Sequence, residues 1–364
     1  MKILFIAPIP PPINGQSKAS KVLLDALVRH HEVKVVNLSK TSLKNNDSSV
    51  GRVKEIISIL NEVKKYRNNN DLIYISLAES FAGNMRDLMI YRLVRKDLDK
   101  VFIHMLGGAG MMEILSGNGW QKKANADVMS KIAGVLVEGP VNFENFKRVV
   151  SEDKIHIVPN FAEDFLFLKD EEIEDKFADT DPLQLLYLSN LIPGKGYDEL
   201  AEAYLHLSCE EQEQLKISFV GGFEDSGSEE KFLKKISSNN NIKYLGKFID
   251  GEAKRNLYAR SHIFCLPTYY PFEGQPISIL EAYATGCVVI TSNHSGIPFI
   301  FKNEINGFMV EKKSVPSLID ALRKTIHQKN RLKEIAMSNK KIAETTYRTD
   351  IYQQKILDIF SNIG

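Results

Sequence analysis

The chain has 364 residues, of which 43% are hydrophobic and 26% charged, with 47 Lys and Arg against 46 Asp and Glu. That length exceeds what one core usually supports, so two domains are expected, and the composition excludes a disordered or fibrous protein. No apolar run approaches the roughly 18 residues of a membrane-spanning helix, and the 3 widely spaced cysteines offer neither a disulfide framework nor a zinc spacing, which fits a reducing cytoplasm.

Residues 3–7 form an apolar run followed at once by prolines, with no small-residue cleavage site, so a first strand is expected rather than a secretion signal. A helix over 17–31 follows, spaced through Val22, Leu23, Ala26 and Leu27. Strands are predicted at 33–38, 72–76, 101–105, 134–138 and 155–158. Helices are predicted between them at about 50–67, 84–98, 123–131 and 142–149. This rhythm implies a parallel sheet covered on both faces.

Residues 163–181 carry nine acidic side chains with weak periodicity, which suits a linker, set at 166–182. A second series then runs over 183–347. Its strands are at 183–188, 216–220, 242–245, 263–266 and 288–290. Its helices are at 196–207, 228–237, 251–259, 276–285, 315–328 and 329–345. The expected architecture is two doubly wound α/β domains, 1–165 and 183–347, facing a cleft. A last helix at about 348–364 is expected to pack back on the first domain.

Charge is uneven. Residues 1–160 hold 23 Lys and Arg against 16 Asp and Glu, while the rest hold 24 against 30. A basic first half suits phosphates or anionic lipid as well as ordinary solvation. The helix at 84–98 combines Met85, Leu88, Met89 and Leu93 with Arg86, Arg92, Arg95 and Lys96. It fits either a helix resting on an anionic membrane or one packed on the sheet with its charges outward. No nucleic-acid partner is expected.

The richest stretch, 271–300, reads PFEGQPISILEAYATGCVVITSNHSGIPFI. Glu273 and Glu281 stand eight residues apart. Pro276 suits a first helical turn and Gly286 a helix stop. Glu273 therefore precedes a helix N-terminus, and Glu281 lies about one and a half turns inside it. The amides around Gly274, Gln275, Pro276 and Ile277 are placed to bind phosphate, and the carboxylates to accept hydrogen bonds from sugar hydroxyls. A strand followed by Ser189-Asn190-Leu191-Ile192-Pro193-Gly194-Lys195-Gly196 sets Lys195 at another helix start. His104 ends a strand and precedes Gly107, Gly108 and Gly110. Asp97-Leu98-Asp99 matches a metal-binding D-x-D but sits among Arg95, Lys96 and Lys100, so a solvated helix face is expected there.

The string EG-x-P-x-x-x-LEA-x-x-x-G-x-x-VI around the two glutamates resembles the E-x7-E signature of family 4 (group 1) glycosyltransferases. These are retaining enzymes of GT-B fold. The likeness implies that Glu281 binds the donor ribose, Glu273 orients the donor sugar and Lys195 holds the diphosphate. It implies that His104 approaches the sugar from the first domain and that the Gly15 loop lies near the diphosphate. Gly222, Gly246 and Phe248 would frame the base. The sequence departs from the family pattern at Asn190, where an Arg is usual, and at Gln16, which replaces one glycine of a pair.

A front-face mechanism is implied, in which the leaving phosphate helps deprotonate the acceptor. Neither a metal nor a cofactor is expected to be required. The expected partners are a nucleotide sugar and a saccharide or polyprenyl-linked acceptor, in surface polysaccharide assembly. The chain is expected in the cytoplasm, with peripheral contact at the inner membrane face. The alternatives left open are a non-catalytic sugar-nucleotide-binding subunit and a nucleotide-sugar epimerase.

Overall fold

The computed structural model of the chain describes residues 1–39, 49–78, 80–107 and 109–361. It divides into two units, one taking Met1–Asn160 with the chain from Asp350 onward, the other Phe161–Thr349.

The first unit holds strands β1 (Lys2–Ala7), β2 (Glu32–Asn37), β3 (Leu72–Ser76), β4 (Val101–Met105), β5 (Gly134–Val137) and β6 (Ile155–Ile157). They form one parallel sheet in the order β2-β1-β3-β4-β5-β6. Strands β3, β4 and β5 are buried at every position, because helices cover both faces and leave no polar side to alternate. Those helices are α1 (Gly15–Leu27), α2 (Ser49–Tyr66), α3 (Phe81–Leu93), α4 (Ala109–Ser116), α5 (Trp120–Met129) and α6 (Pro140–Phe146).

Two expectations fail here. The helix expected over 84–98 ends at Leu93, and a 3-10 segment, Arg95–Lys100, carries the rest. After β4, where no helix is expected before residue 123, α4 starts at Ala109. Met111 and Leu115, one turn apart, are fully buried there and anchor it. Gly108 lies outside the described residues.

The second unit holds β7 (Leu183–Leu188), β8 (Leu215–Val220), β9 (Ile242–Tyr244), β10 (Ile263–Leu266), β11 (Val288–Ser292) and β12 (Gly307–Val310). Their order is β12-β11-β10-β7-β8-β9, again parallel throughout. The helices are α7 (Asp170–Lys176), α8 (Tyr197–Leu205), α9 (Cys209–Glu213), α10 (Ser226–Ile236), α11 (Gly251–Ala259), α12 (Ile277–Ala284), α13 (Ile297–Ile300), α14 (Val315–His327) and α15 (Lys329–Thr346). The final helix, α16 (Thr349–Ser361), packs in the first unit, where Phe360 meets Phe102 at 5.0 Å between ring centroids and Gln353 donates to the Val22 carbonyl at 2.9 Å.

The stretch 166–182, expected as a linker, is instead built into the second unit. Ile173 of α7 is fully buried. The Lys176 ammonium runs inward and donates to the carbonyls of Thr285 (2.6 Å), Gly286 (3.0 Å) and Ser261 (3.1 Å). These carbonyls close α11 and α12, where a cation is favoured. Burial holds the Lys176 pKa below that of an ordinary lysine. The acidic residues lie on the outer side of a short helix whose inner side presents Ile173 and Lys176.

In each sheet the strand order reverses once, between β1 and β3 in the first and between β7 and β10 in the second. Ligands of doubly wound sheets sit outside the carboxyl ends of the strands at such a point. In the second unit the segments leaving that point are 189–196 and 267–276.

Candidate functional site

These two segments are pressed together. Gly194 and Gly196 have φ of +93° and +78°, and a Cβ on Gly196 would lie 2.4 Å from the Pro267 carbonyl oxygen. Only glycine meets both demands. The Tyr269 amide donates to the Gly194 carbonyl at 2.6 Å, so Lys195 is carried toward the segment after β10. Its ammonium lies 2.7 Å from Glu273 Oε2 and 5.0 Å over the Tyr270 ring. The same carboxylate oxygen accepts the Thr268 hydroxyl at 2.8 Å. The chain after β11 braces this arrangement from behind. The Ser295 hydroxyl donates to the Glu273 carbonyl, and His294 Nε2 donates to the Tyr270 carbonyl at 2.7 Å.

Lys195 and Glu273 are nearly buried, with side-chain exposures of 13% and 9%. Helices α8 and α12 start beside them at the N-caps Gly196 and Pro276, and neither start has a side-chain cap. Two helix N-termini and one ammonium therefore converge on the switch point. That combination suits an anion with several oxygens. Gly274, Gln275 and Ile277 follow Glu273 directly into α12.

Glu281 sits deeper in the same helix and is 2% exposed. Its Oε1 accepts from Lys254 Nζ at 2.5 Å, and Tyr258 Oη donates to its Oε2 at 3.3 Å. The Lys254 ammonium also lies 3.9 Å from Glu163 Oε2. Neither Lys254 nor Thr268 is singled out by the sequence reading. Lys254 carries one available signal, since it lies four residues before Tyr258 on the inner stripe of α11.

The ends of β7, β8 and β9 are tied to one another. Gly221 has φ +149°, and a Cβ there would meet the Ser189 carbonyl at 1.8 Å. Its amide donates to the Gly246 carbonyl at 3.0 Å, and the Gly222 carbonyl accepts from Leu191 at 2.8 Å. Asn190 is exposed beside them, and Phe248 is 65% exposed beyond β9. Lys195, Glu273 and the start of α12 thus form one site, with Glu281 further along the same helix. Asn190, Gly222 and Gly246 lie at neighbouring strand ends.

Gly15 and His104 belong to the other unit. Gly15 begins α1 behind the capping residue Asn14. Gln16, in place of the second glycine, donates to Ser76 Oγ (2.9 Å) and the Leu77 carbonyl (2.8 Å), tying α1 to the end of β3. His104, expected to approach the donor sugar, is fully buried. Its Nδ1 lies 2.7 Å from Tyr74 Oη, its ring stacks 6.5 Å from Tyr352, and its Nε2 has no partner among the described residues. Burial pulls its pKa down to about 3, so the ring is neutral.

Helix α3 buries one of the charges expected to point outward, Arg86. Asn84, Arg86 and Asp87 are buried, while Phe81 and Met89 are 64% and 38% exposed. Asn84 pairs with Asn125, Arg86 with Asp87, and Asp87 accepts the Ala78 amide at 2.9 Å. Ile90 and Tyr91 are buried and Leu88 and Leu93 pack against the core of the first unit, so the helix lies on the sheet with Arg92, Arg95 and Lys96 exposed. Asp97 pairs with Lys100 at 3.3 Å. Among the described residues no cluster of His, Cys, Asp or Glu is arranged to hold a metal ion, and no helix is long and apolar enough to cross a membrane.

Residues 169–342 match the family described as glycosyl transferases group 1. An Escherichia coli UDP-Gal:alpha-D-GlcNAc-diphosphoundecaprenol alpha-1,3-galactosyltransferase is 42% identical over 67 residues, 18% of this chain and 17% of that one. The amylovoran biosynthesis glycosyltransferase AmsK of Erwinia amylovora is 24% identical over 191 residues, 50% of this chain and 46% of that one. The chain thus spans less than half the length of the first curated relatives it matches. The Anabaena protein Alr3699/HepE, crystallised with UDP and glucose, superposes with a TM-score of 0.73 at 16% identity over 99% of both chains. That likeness concerns the fold.

Proposed function

Because the chain belongs to the group 1 glycosyl transferase family and has the GT-B fold, we propose that it moves a sugar from a nucleoside diphosphate to a saccharide or lipid-linked saccharide acceptor. The observation that carries this reading is the convergence of Lys195, Glu273 and the N-termini of α8 and α12 at the β7/β10 switch point. A diphosphate needs cations and amide donors as negative charge builds on its leaving oxygen. Lys195 and the two helix starts supply them, and they stand in for the arginine that Asn190 replaces. Glu273, held by Thr268, accepts from the sugar hydroxyls, and Glu281 accepts from the ribose.

His104 is neutral and buried, so its part is to shape the sugar side through a hydrogen bond rather than to exchange a proton. Retention follows if the leaving phosphate takes the acceptor proton on the same face. Two of the relatives, one acting on a diphosphoundecaprenol-linked sugar and one in amylovoran biosynthesis, support surface-polysaccharide assembly as the setting. The outward face of α3, apolar at Phe81 and Met89 and basic beyond, supports contact with an anionic membrane. Sedimentation with anionic vesicles tests that contact, which Phe81→Asp with Met89→Asp is expected to abolish. Unchanged sedimentation of the double variant overturns it.

A second reading, a nucleotide-binding subunit without turnover, is favoured by Asn190 alone. A screen of UDP, GDP, ADP and CMP with their sugar conjugates separates the two. Thermal stabilisation by one diphosphate together with nucleotide release from its sugar conjugate supports the transferase. Stabilisation without release, with lipid-linked acceptors present, supports the subunit. No binding at all refutes the site.

A further inference from the structure

Glu281 is expected to meet the nucleoside, yet its carboxylate lies in the interior and is held by two groups from one helix. Lys254 and Tyr258 stand four residues apart on α11, so their side chains leave the same face one turn apart. Lys254 takes Oε1 at 2.5 Å and Tyr258 approaches Oε2 at 3.3 Å. The single hydroxyl proton of Tyr258 is shared between Glu281 Oε2 and the Ser278 carbonyl, 3.2 Å away, which ties Tyr258 to the first turn of α12. With Oε1 held by the ammonium and Oε2 facing the phenol, rotation of the carboxylate about its terminal bond is restricted. Lys254 is itself enclosed, with a side-chain exposure of 6%. Its second carboxylate neighbour, Glu163, lies in the segment that opens the second unit.

We infer that Lys254 is a positioning residue for nucleotide recognition, which with Tyr258 fixes the Glu281 carboxylate in the orientation that receives the ribose diol. The inference rests on the proposed role of Glu281. In a site of low dielectric a carboxylate acceptor binds a hydroxyl more strongly than a neutral acceptor does. The fixed plane removes the rotational freedom that a diol would otherwise have to quench on binding.

The test compares UDP and GDP with their 2′-deoxy counterparts by calorimetry, on the whole chain. The wild type is expected to prefer the ribonucleotide by about tenfold or more, the worth of one to two hydrogen bonds to a charged group. Lys254→Met is expected to lower ribonucleotide affinity about tenfold, leave the deoxynucleotide almost unchanged, and so bring their ratio close to one. Lys254→Arg, which keeps a cation, is expected to restore most of the ratio. Tyr258→Phe is expected to reduce it by a smaller factor. Combining Lys254→Met with Glu281→Gln is expected to cost no more than either change alone, because both act through one carboxylate.

A merely structural Lys254 predicts something different, namely a lower melting temperature with the ribo-to-deoxy ratio intact, and that result overturns the inference. If Lys254→Met does not fold, the ratio of Tyr258→Phe decides, and a wild-type ratio in that variant overturns the inference equally. A wild type that binds nucleoside diphosphates without any ribose preference refutes the role given to Glu281 itself, a failure distinct from that of the Lys254 clamp.

Discussion

Replacing Glu273 by glutamine is expected to tighten the binding of free nucleoside diphosphate while it lowers turnover. Lys195 and Glu273 are 2.7 Å apart, with side-chain exposures of 13% and 9%. At that distance and an effective dielectric near 20, the bare attraction is about 6 kcal/mol, most of it offset by the cost of removing both charges from water. An incoming diphosphate must draw Lys195 from this partner and sit near a carboxylate of its own sign. Glu273→Gln keeps the shape and the contact with Thr268 but removes the competing charge. A net gain of about 1–2 kcal/mol follows, roughly five- to thirtyfold in Kd. Turnover is expected to fall about ten- to hundredfold, because hydrogen bonds to a charged acceptor contribute about 1.5–3 kcal/mol. Calorimetry with UDP and GDP reads the first effect, and nucleotide release from the sugar conjugate reads the second. The gain should shrink in high salt, and Lys195→Met should abolish it. Weaker or unchanged diphosphate binding by Glu273→Gln refutes the competition between carboxylate and ligand.

Gly196→Ala places a Cβ 2.4 Å from the Pro267 carbonyl at φ +78°, and is expected to destabilise the chain by about 1–3 kcal/mol and to lower nucleotide release at least tenfold. Gly222→Ala, where a Cβ meets nothing within 4 Å, is the matched control, and equal urea midpoints for the two variants contradict the assigned packing. The His104 imidazole has a pKa of about 3 in the folded chain against 6.5 in its ordinary state. The unfolded chain therefore takes up a proton first as pH falls. Stability is unaffected by this residue above pH 6.5 and declines between about 6.5 and 3, by about 2 kcal/mol at pH 5. Urea unfolding at pH 7.5 and 5 should show that extra loss in the wild type and not in His104→Phe, and identical losses in both exclude a neutral buried His104.

Much of the fold is legible in sequence because its strands are covered on both faces. The runs at β3, β4 and β10 are mostly apolar and buried at every position, and need no alternation to be recognised. Helix α11 is equally clear, since 251–259 is bounded by Asp250 and by the polar Arg260-Ser261. Helix α7 is not legible, because its acidic outer face dominates the composition, while the two residues that seat it, Ile173 and Lys176, look like a lone apolar residue and another charge. Strand β12 is missed for a different reason. Its Gly307 lies against Val289, where a Cβ would stand 1.9 Å from the carbonyl oxygen, and nothing in a four-residue run announces that approach. Helix α3 is legible as a helix packed on the sheet with Arg92, Arg95 and Lys96 outward, but the burial of Asn84 is not, because its partners Asn125 and Gln121 are distant in sequence. In the site, residue types are legible and pairings are not. Lys195 and Glu273 are separated by 78 positions, and only the sheet order that sets β7 beside β10 brings them into contact.

The two ion pairs of the second unit differ in a way that matches what each would meet. Lys195 extends from a loop and stacks on Tyr270, so its bond to Glu273 can open when a stronger anion arrives. Lys254 lies between Glu281 and Glu163 on a regular helix, with a side-chain exposure of 6%, so no anion is able to reach it without breaking the core. A diphosphate carries charge and must exchange partners on binding, whereas a ribose diol is neutral and requires only an acceptor that stays in place. The exchangeable pair therefore stands at the start of α12, and the fixed pair stands inside it. The spacing between Glu273 and Glu281 separates these two demands along one helix. Moving the exchangeable cation to the inner position would leave the diphosphate without a ligand. Exposing the inner pair would let the diol's acceptor turn away.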